Sequence, residues 1–257
     1  YKTRYCLTGE WLFTKSGSSD GYGFPYGDGD LREGIALLRQ DAKENGKKLW
    51  FFGLLEEQKA WLEANYPGEF TYKANRDDAE YIYEAEKLAT YAGKKLHAKR
   101  NYCNRFEAAH PDWKFEPITG ENREAVLEFH SRWQTENEGS SEGLHKGAGV
   151  VRCARREMGE LEMTGGVLTA GGRIYGFAVA SMINETLMDE NIEKADGEEP
   201  GAYPMVCREM AKMMREKYPA LTLINREEDT GDEGLRRSKE SYSPVMLLQK
   251  YVTREVG

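Results

Sequence analysis

The stretch INREEDTGDEGLRRSKESYSP, from Ile224 to Pro244, decides how the rest of this chain reads. Leu221, Leu223 and Ile224 form a short apolar run, read as a strand, and it ends in a burst of charge. Asn225, Glu227, Glu228 and Asp229 stand where that strand opens into a loop, and Gly231 breaks the chain. Leu235 to Ser238 reads as one short helix bearing Arg236 and Arg237, with Lys239 beyond it. Asn225 to Glu240 holds six acidic and four basic side chains, more than a turn needs. In α/β folds, ligands bind beyond the carboxyl ends of strands, so the segment is a candidate site. The plainer alternative is a solvated, salt-bridged loop.

Working back from Ile224, Tyr203 to Tyr218 is spaced as a helix with Val206, Met210, Met213 and Met214 inward. Those methionines read as core filler rather than metal or haem ligands. Gly166 to Thr169, Ile174 to Ile183 and Thr186 to Ala195 read as antiparallel strands, the first two joined at Gly171-Gly172. Glu121 to Trp133 is an amphipathic helix (Val126, Phe129, Trp133). A polar stretch, Thr135 to Gly147, and a helix over Val150 to Gly159 follow it. After the charged segment, Val245 to Val252 reads as one last strand.

The first half is mixed as well. Strands are expected at Tyr5–Leu7, Trp11–Thr14, Lys48–Leu54, Phe70–Lys73 and Tyr81–Tyr83. Helices are expected at Leu31–Asn45 and Glu56–Tyr66. Glu86 to Ala109 is helical in pattern, with Gly93 as a break. Lys94, Lys95, Lys99, Arg100 and Arg105 lie in this segment without an intervening acid, and Lys95 and Lys99 are spaced to share a helix face.

Two blocks carry a family resemblance. The first is Asn225-Arg226-Glu227-Glu228-Asp229 with Gly231, then Gly234-Leu235-Arg236 with Lys239, then Ser241-Tyr242 with Pro244. The second is the run DAEYIYEAEKLATYAGKKLHAKRN, Asp78 to Asn101. In order and spacing the chain resembles the phosphatidylglycerol lysyltransferase C-terminal domain family, tandem GNAT-fold proteins related to Fem-type aminoacyltransferases. The resemblance implies an α/β (α+β) chain with a tandem GNAT-like acyl-CoA N-acyltransferase fold, in two mixed sheets flanked by helices. The domains expected are residues 1–115 and 116–257, with the active site expected in the second; the element order restarts after Pro111.

Composition limits what such a chain does. At 257 residues, 39% hydrophobic and 31% charged, it can bury one large core or two modest ones. No run approaches the roughly 18 apolar residues of a membrane helix. The opening YKTRYCLTGEWLF already reads as strand, turn and strand, so the chain is expected to begin inside a domain. Cys6, Cys103, Cys153 and Cys207 have no CxxC spacing, so no metal site and a reduced cytoplasmic setting are expected. A net charge of −8 opposes broad nucleic-acid coating while leaving room for a local basic patch.

The fold analogy suggests coenzyme A (CoA) as a co-substrate, its pyrophosphate bound by the loop Asp196-Gly197-Glu198-Glu199-Pro200-Gly201-Ala202 and the helix after it. The carboxylates in that loop argue against it, since each would repel a phosphate. Seven acids stand against Lys194 alone between Asn184 and Glu199, which suits a cationic ligand such as the ammonium of an aminoacyl-tRNA. On that reading Glu193, Asn225, Asp229 and Tyr242 bind substrate, and Glu227 is the base where one is needed. Arg236 and Lys239 face a phosphate or stabilise an oxyanion. Lys94, Lys95, Lys99 and Arg100 contact tRNA phosphates, and the acceptor is a small molecule or lipid-derived amine or hydroxyl. Plainer readings stand beside these: Glu193 and Lys194 as a cross-strand pair, and the basic helix as a solvated face. The alternatives for the whole chain are a non-catalytic amino-acid- or peptide-binding module and an ordinary CoA-dependent N-acyltransferase.

Overall fold

A computed structural model describes residues 3–137 and 162–256. The helix expected over Val150–Gly159 and most of the polar stretch before it lie outside the described residues.

The chain divides into two compact units. The smaller comprises residues 1–80 with 248–257, and the larger residues 81–247. The smaller unit holds two three-stranded sheets. One joins β1 (Arg4–Thr8), β2 (Trp11–Lys15) and β3 (Tyr26–Gly27), and the other β4 (Trp50–Leu54), β5 (Phe70–Ala74) and β13 (Tyr251–Glu255). Helix α1 (Leu31–Glu44) starts where the Asp30 carboxylate accepts the Arg32 N–H at 3.0 Å. It buries Ile35, Leu38 and Ala42, the stripe that its spacing predicts. Helix α2 (Glu56–Asn65) contributes Leu62 to the same core, beside Phe51, Leu54 and Phe70.

The larger unit is built on a seven-stranded sheet ordered β12-β6-β11-β10-β9-β8-β7. Its strands are β6 (Glu80–Glu84), β7 (Lys114–Pro117), β8 (Thr164–Ala170), β9 (Arg173–Asn184), β10 (Leu187–Ala195), β11 (Leu223–Asn225) and β12 (Met246–Leu248). The β8–β9 turn works because Gly171 and Gly172 both take positive φ, 55° and 75°, as a tight hairpin turn requires. β10 and β11 are parallel, so the chain must cross over between them. Helix α6 (Ala202–Lys217) makes that crossing, burying Met205, Val206, Met210 and Met214. Helices α3 (Ala85–Thr90) and α4 (His97–Ala109) pack on α6. Helix α5 (Arg123–Asn137) instead packs on β9 and β10 with Val126 and Phe129 against Phe177, Val179 and Ile192.

Two expectations are corrected. The final strand, read as Val245–Val252, is two strands in different sheets. Gln249 ends the run, its amide donating at 3.0 Å to the carbonyls of Asn75 and Lys250. The expected boundary at residue 115 falls inside the larger unit, because β6 pairs with β11 and carries α3 and α4 into that unit with it. β7, which straddles the expected boundary, pairs with β8 from Lys114↔Thr169 to Pro117↔Gly166.

Candidate functional site

The parallel strands part after a short contact. β10 and β11 are paired only from Leu187↔Leu223 to Asp189↔Asn225, yet β10 continues to Ala195. Arg226, the first residue past β11, reaches across to the unpaired half of β10. Its Nε donates to Glu190 Oε2 at 2.5 Å and its Nη2 to Glu193 Oε2 at 2.8 Å. Glu190 and Glu193 are three apart, a spacing that a regular strand would turn to opposite faces. The register slips by one residue between Asp189 and Ile192, a β-bulge, and both carboxylates meet the same guanidinium.

The Tyr242 and Tyr83 rings lie 4.7 and 5.7 Å from that guanidinium, and the Lys99 ammonium is 3.7 Å from the Tyr242 centroid. Burial pushes the Glu193 carboxyl up to about 8; Arg226 opposes the rise and neighbouring Glu190 adds to it. Burial also lowers the Lys99 ammonium and raises the Cys207 thiol and the Tyr242 phenol. Arg226 Nη1 is buried without a hydrogen-bond partner among the described residues.

The turn after Arg226 is braced from within. Asn225 Oδ1 accepts the Glu227 N–H at 2.9 Å, and Glu227 and Thr230 take left-handed φ of 57° and 52°. Lys239, on helix α7 (Glu233–Glu240), donates through Nζ to the carbonyls of Arg226 (2.5 Å), Glu227 (3.2 Å) and Glu228 (2.6 Å). Burial pushes its ammonium down to about 8. Asp229 is fully buried and accepts from Tyr81 Oη at 2.6 Å, from the Gly231 N–H at 3.0 Å and from both arms of Arg236. Chiefly because of Arg236, its carboxyl lies well below the usual carboxylate range. Tyr83 Oη donates to the Lys239 carbonyl at 2.8 Å.

The structure therefore gathers Glu193, Asn225, Asp229, Arg236, Lys239 and Tyr242 around one turn, with Glu227 exposed at its tip. The three donors of Lys239 serve the turn's own carbonyls, and Arg236 clasps Asp229. The expected basic patch does not share one face. Lys94 and Lys95 are exposed in the turn before α4, whereas Lys99 points inward over Tyr242. Arg100 donates to the carbonyls of Tyr91 and, at 3.1 Å, Gly93. Ala92, Gly93, Lys94, His97 and Arg100 line an open depression of about 560 Å³.

Two residues central to the cluster, Glu190 and Arg226, had no role in the sequence reading. Arg226 was visible inside the first motif block; Glu190 needed the bulge. In the loop before α6, Asp196 pairs with Arg173 and accepts the Glu198 N–H at 3.0 Å, while Glu199 lies 3.2 Å from His110 Nε2. Among the described residues no three His, Cys, Asp or Glu side chains gather as metal ligands. No described helix is long and apolar enough to cross a membrane.

A family model described as "Phosphatidylglycerol lysyltransferase, C-terminal" matches residues 7–254. An uncharacterized protein of Mycoplasmoides gallisepticum is 24% identical over 199 residues, 76% of this chain; the chain spans 61% of that relative's length. A conserved protein of unknown function from Bacteroides thetaiotaomicron superposes with a TM-score of 0.92 at 35% identity, covering 100% of this chain and 86% of the other. L-PGS from Bacillus licheniformis superposes at 0.70 with 17% identity, covering 98% and 83%. A tandem GNAT protein from the clavulanic acid biosynthesis pathway superposes at 0.51 with 9% identity, covering 96% and 78%. The last two likenesses show the fold, which is the mixed α/β, GNAT-like class expected. With the model spanning nearly its whole length, the chain belongs to the phosphatidylglycerol lysyltransferase C-terminal family.

Proposed function

We propose that the larger unit transfers an aminoacyl group from an ester donor, such as an aminoacyl-tRNA, to an amine or hydroxyl acceptor of small-molecule or lipid origin. The observation that carries this reading is the buried trio Glu190, Arg226 and Glu193 at the parting of β10 and β11. The trio has two carboxyl groups for one guanidinium, and burial, with Glu190 adding to it, favours the protonated form of Glu193. The ammonium of an aminoacyl donor supplies the missing positive charge in place of that proton. Arg226 Nη1, still unpartnered, has a donor to offer to the ester carbonyl.

On this reading the acceptor's lone pair attacks the ester carbonyl carbon, and Glu227, exposed at the tip of the turn, takes the acceptor's proton. The ester C–O bond breaks and the released hydroxyl of the donor is protonated. Asp229, Arg236 and Lys239 hold the turn in shape, so their part is positioning. Lys94 and Lys95 are the exposed cations for a polyanionic donor. On this reading the larger unit, residues 81–247, takes the role expected of residues 116–257, with β6, α3 and α4 added and β13 left to the smaller unit.

The test incubates the protein with isotope-labelled lysyl-tRNA and panels of amine, hydroxyl and lipid acceptors. Label appearing on an acceptor, and falling at least tenfold in Glu193→Gln, supports the reading. Unaltered ester lifetime with every acceptor, together with saturable binding of lysine amide, would replace it with the amino-acid-binding module.

A further inference from the structure

On the opposite face of β10 from Glu193 lies a second polar group that the proposed site does not use. Lys194 is half-buried, and its Nζ rests 4.3 Å from the Trp133 ring centroid. The indole is pinned, its Nε1–H donating to the Ala195 carbonyl at 3.1 Å. The ammonium makes no hydrogen bond or ion pair with any described residue, while Glu193 and Glu227 act on it electrostatically and partly offset the lowering caused by burial. One helical turn before Trp133, His130 is 4% exposed, and neither ring nitrogen has a hydrogen-bond partner among the described residues. A buried imidazole ordinarily satisfies at least one nitrogen, so two nitrogens without a partner among the described residues, within electrostatic reach of the Lys194 ammonium, call for a ligand.

We infer that Lys194, His130 and the indole face of Trp133 form a binding subsite for a small oxyanion, the phosphate or carboxylate group of a ligand. Lys194 supplies a charge-assisted donor and His130 a second N–H, while Trp133 holds the lysine stem in place. The strands under α5 face His130 with Phe177 and Val179 on β9 and with Ile192 and Lys194 on β10, so Lys194 is the charged group there among the described residues. Burial and, after it, Lys194 hold the free imidazole below its ordinary range. An anion seated between them offsets both effects, so binding draws a proton onto His130 and strengthens as pH falls through the imidazole range. The subsite needs no transfer activity and stands or falls apart from the proposed function.

The test is a pH titration of the four histidine ring signals by NMR, with His130 assigned through His130→Gln, in the absence and presence of inorganic phosphate or acetate. The expected result is a His130 pKa below 6.5 in the free protein that rises with either anion, more with the one that the subsite prefers. Lys194→Met is expected to weaken the anion's effect roughly tenfold or more, the loss of one charged hydrogen bond. If Lys194→Met fails to fold, the wild-type titration alone decides. A His130 signal that neither anion moves at millimolar concentration overturns the inference, as does an anion response that survives in Lys194→Met.

Discussion

Arg236 and Asp229 meet fork to fork: Nε lies 2.8 Å from Oδ2 and Nη2 lies 2.8 Å from Oδ1, with the carboxylate wholly buried and the arginine partly exposed. The pair closes the turn that begins at Arg226. Removing the cation strands a buried charge, which costs more than the pair itself contributes. Arg236→Ala is expected to lose about 3 kcal/mol of stability in urea unfolding, and Arg236→Lys less, since one arm of the fork survives. Because Asp229 is held below its unfolded value, its contribution is present above the unfolded carboxylate range and is lost as pH falls through the folded value. The deficit of Arg236→Ala should therefore be full at neutral pH and shrink in strong acid. A deficit independent of pH would count against this account.

Glu193 has the opposite sign. Its folded value lies above its unfolded one, so between the two the folded chain binds more protons and stability falls as pH rises. Wild-type stability is expected to decline from about pH 5 to pH 8 through this group, by roughly 3–4 kcal/mol. Glu193→Gln, which keeps the shape without the charge, should flatten that slope and be the more stable protein at pH 8. Parallel slopes for the two proteins would show that the carboxyl is ionised throughout.

Gly201 precedes α6 with φ of 99°, and a Cβ there would overlap the carbonyl oxygen of Tyr102 on α4. Both the backbone conformation and the close approach demand glycine. Gly201→Ala should cost about 2–4 kcal/mol, read as a lowered Tm, whereas Gly197→Ala, with open space around its Cβ position, should cost under about 1 kcal/mol. Equal Tm values for the two variants would contradict the packing described.

The same helix start bears on CoA. A pyrophosphate needs free N–H groups there, but the Ala202 N–H donates to the Glu199 carbonyl at 3.2 Å and Pro204 has none to give. The α4 backbone also stands against Gly201. Titration calorimetry is expected to show no CoA binding below millimolar concentration. Micromolar affinity would restore the ordinary N-acyltransferase reading.

Local periodicity made much of this molecule legible in its sequence. The stripes of α1 and α6, the Gly171-Gly172 hairpin and the break near Gly93 follow from side-chain spacing and backbone freedom, which act over a few residues. The charged turn was recognisable too, and Glu193, Asn225, Asp229, Arg236, Lys239 and Tyr242 do converge on it. Tertiary structure decided what those charges face. A one-residue bulge in β10 sets Glu190 beside Glu193, and no alternation rule reveals a bulge. Lys99 turns inward to Tyr242 while Lys94 and Lys95 stay in solvent, because α4 begins only at His97. Lys239 and Arg236, in sequence two cations free for any anion, are consumed by carbonyls and a carboxylate that folding brings within reach. Charge type is written in the sequence, whereas the partner of each charge depends on contacts between residues distant along the chain.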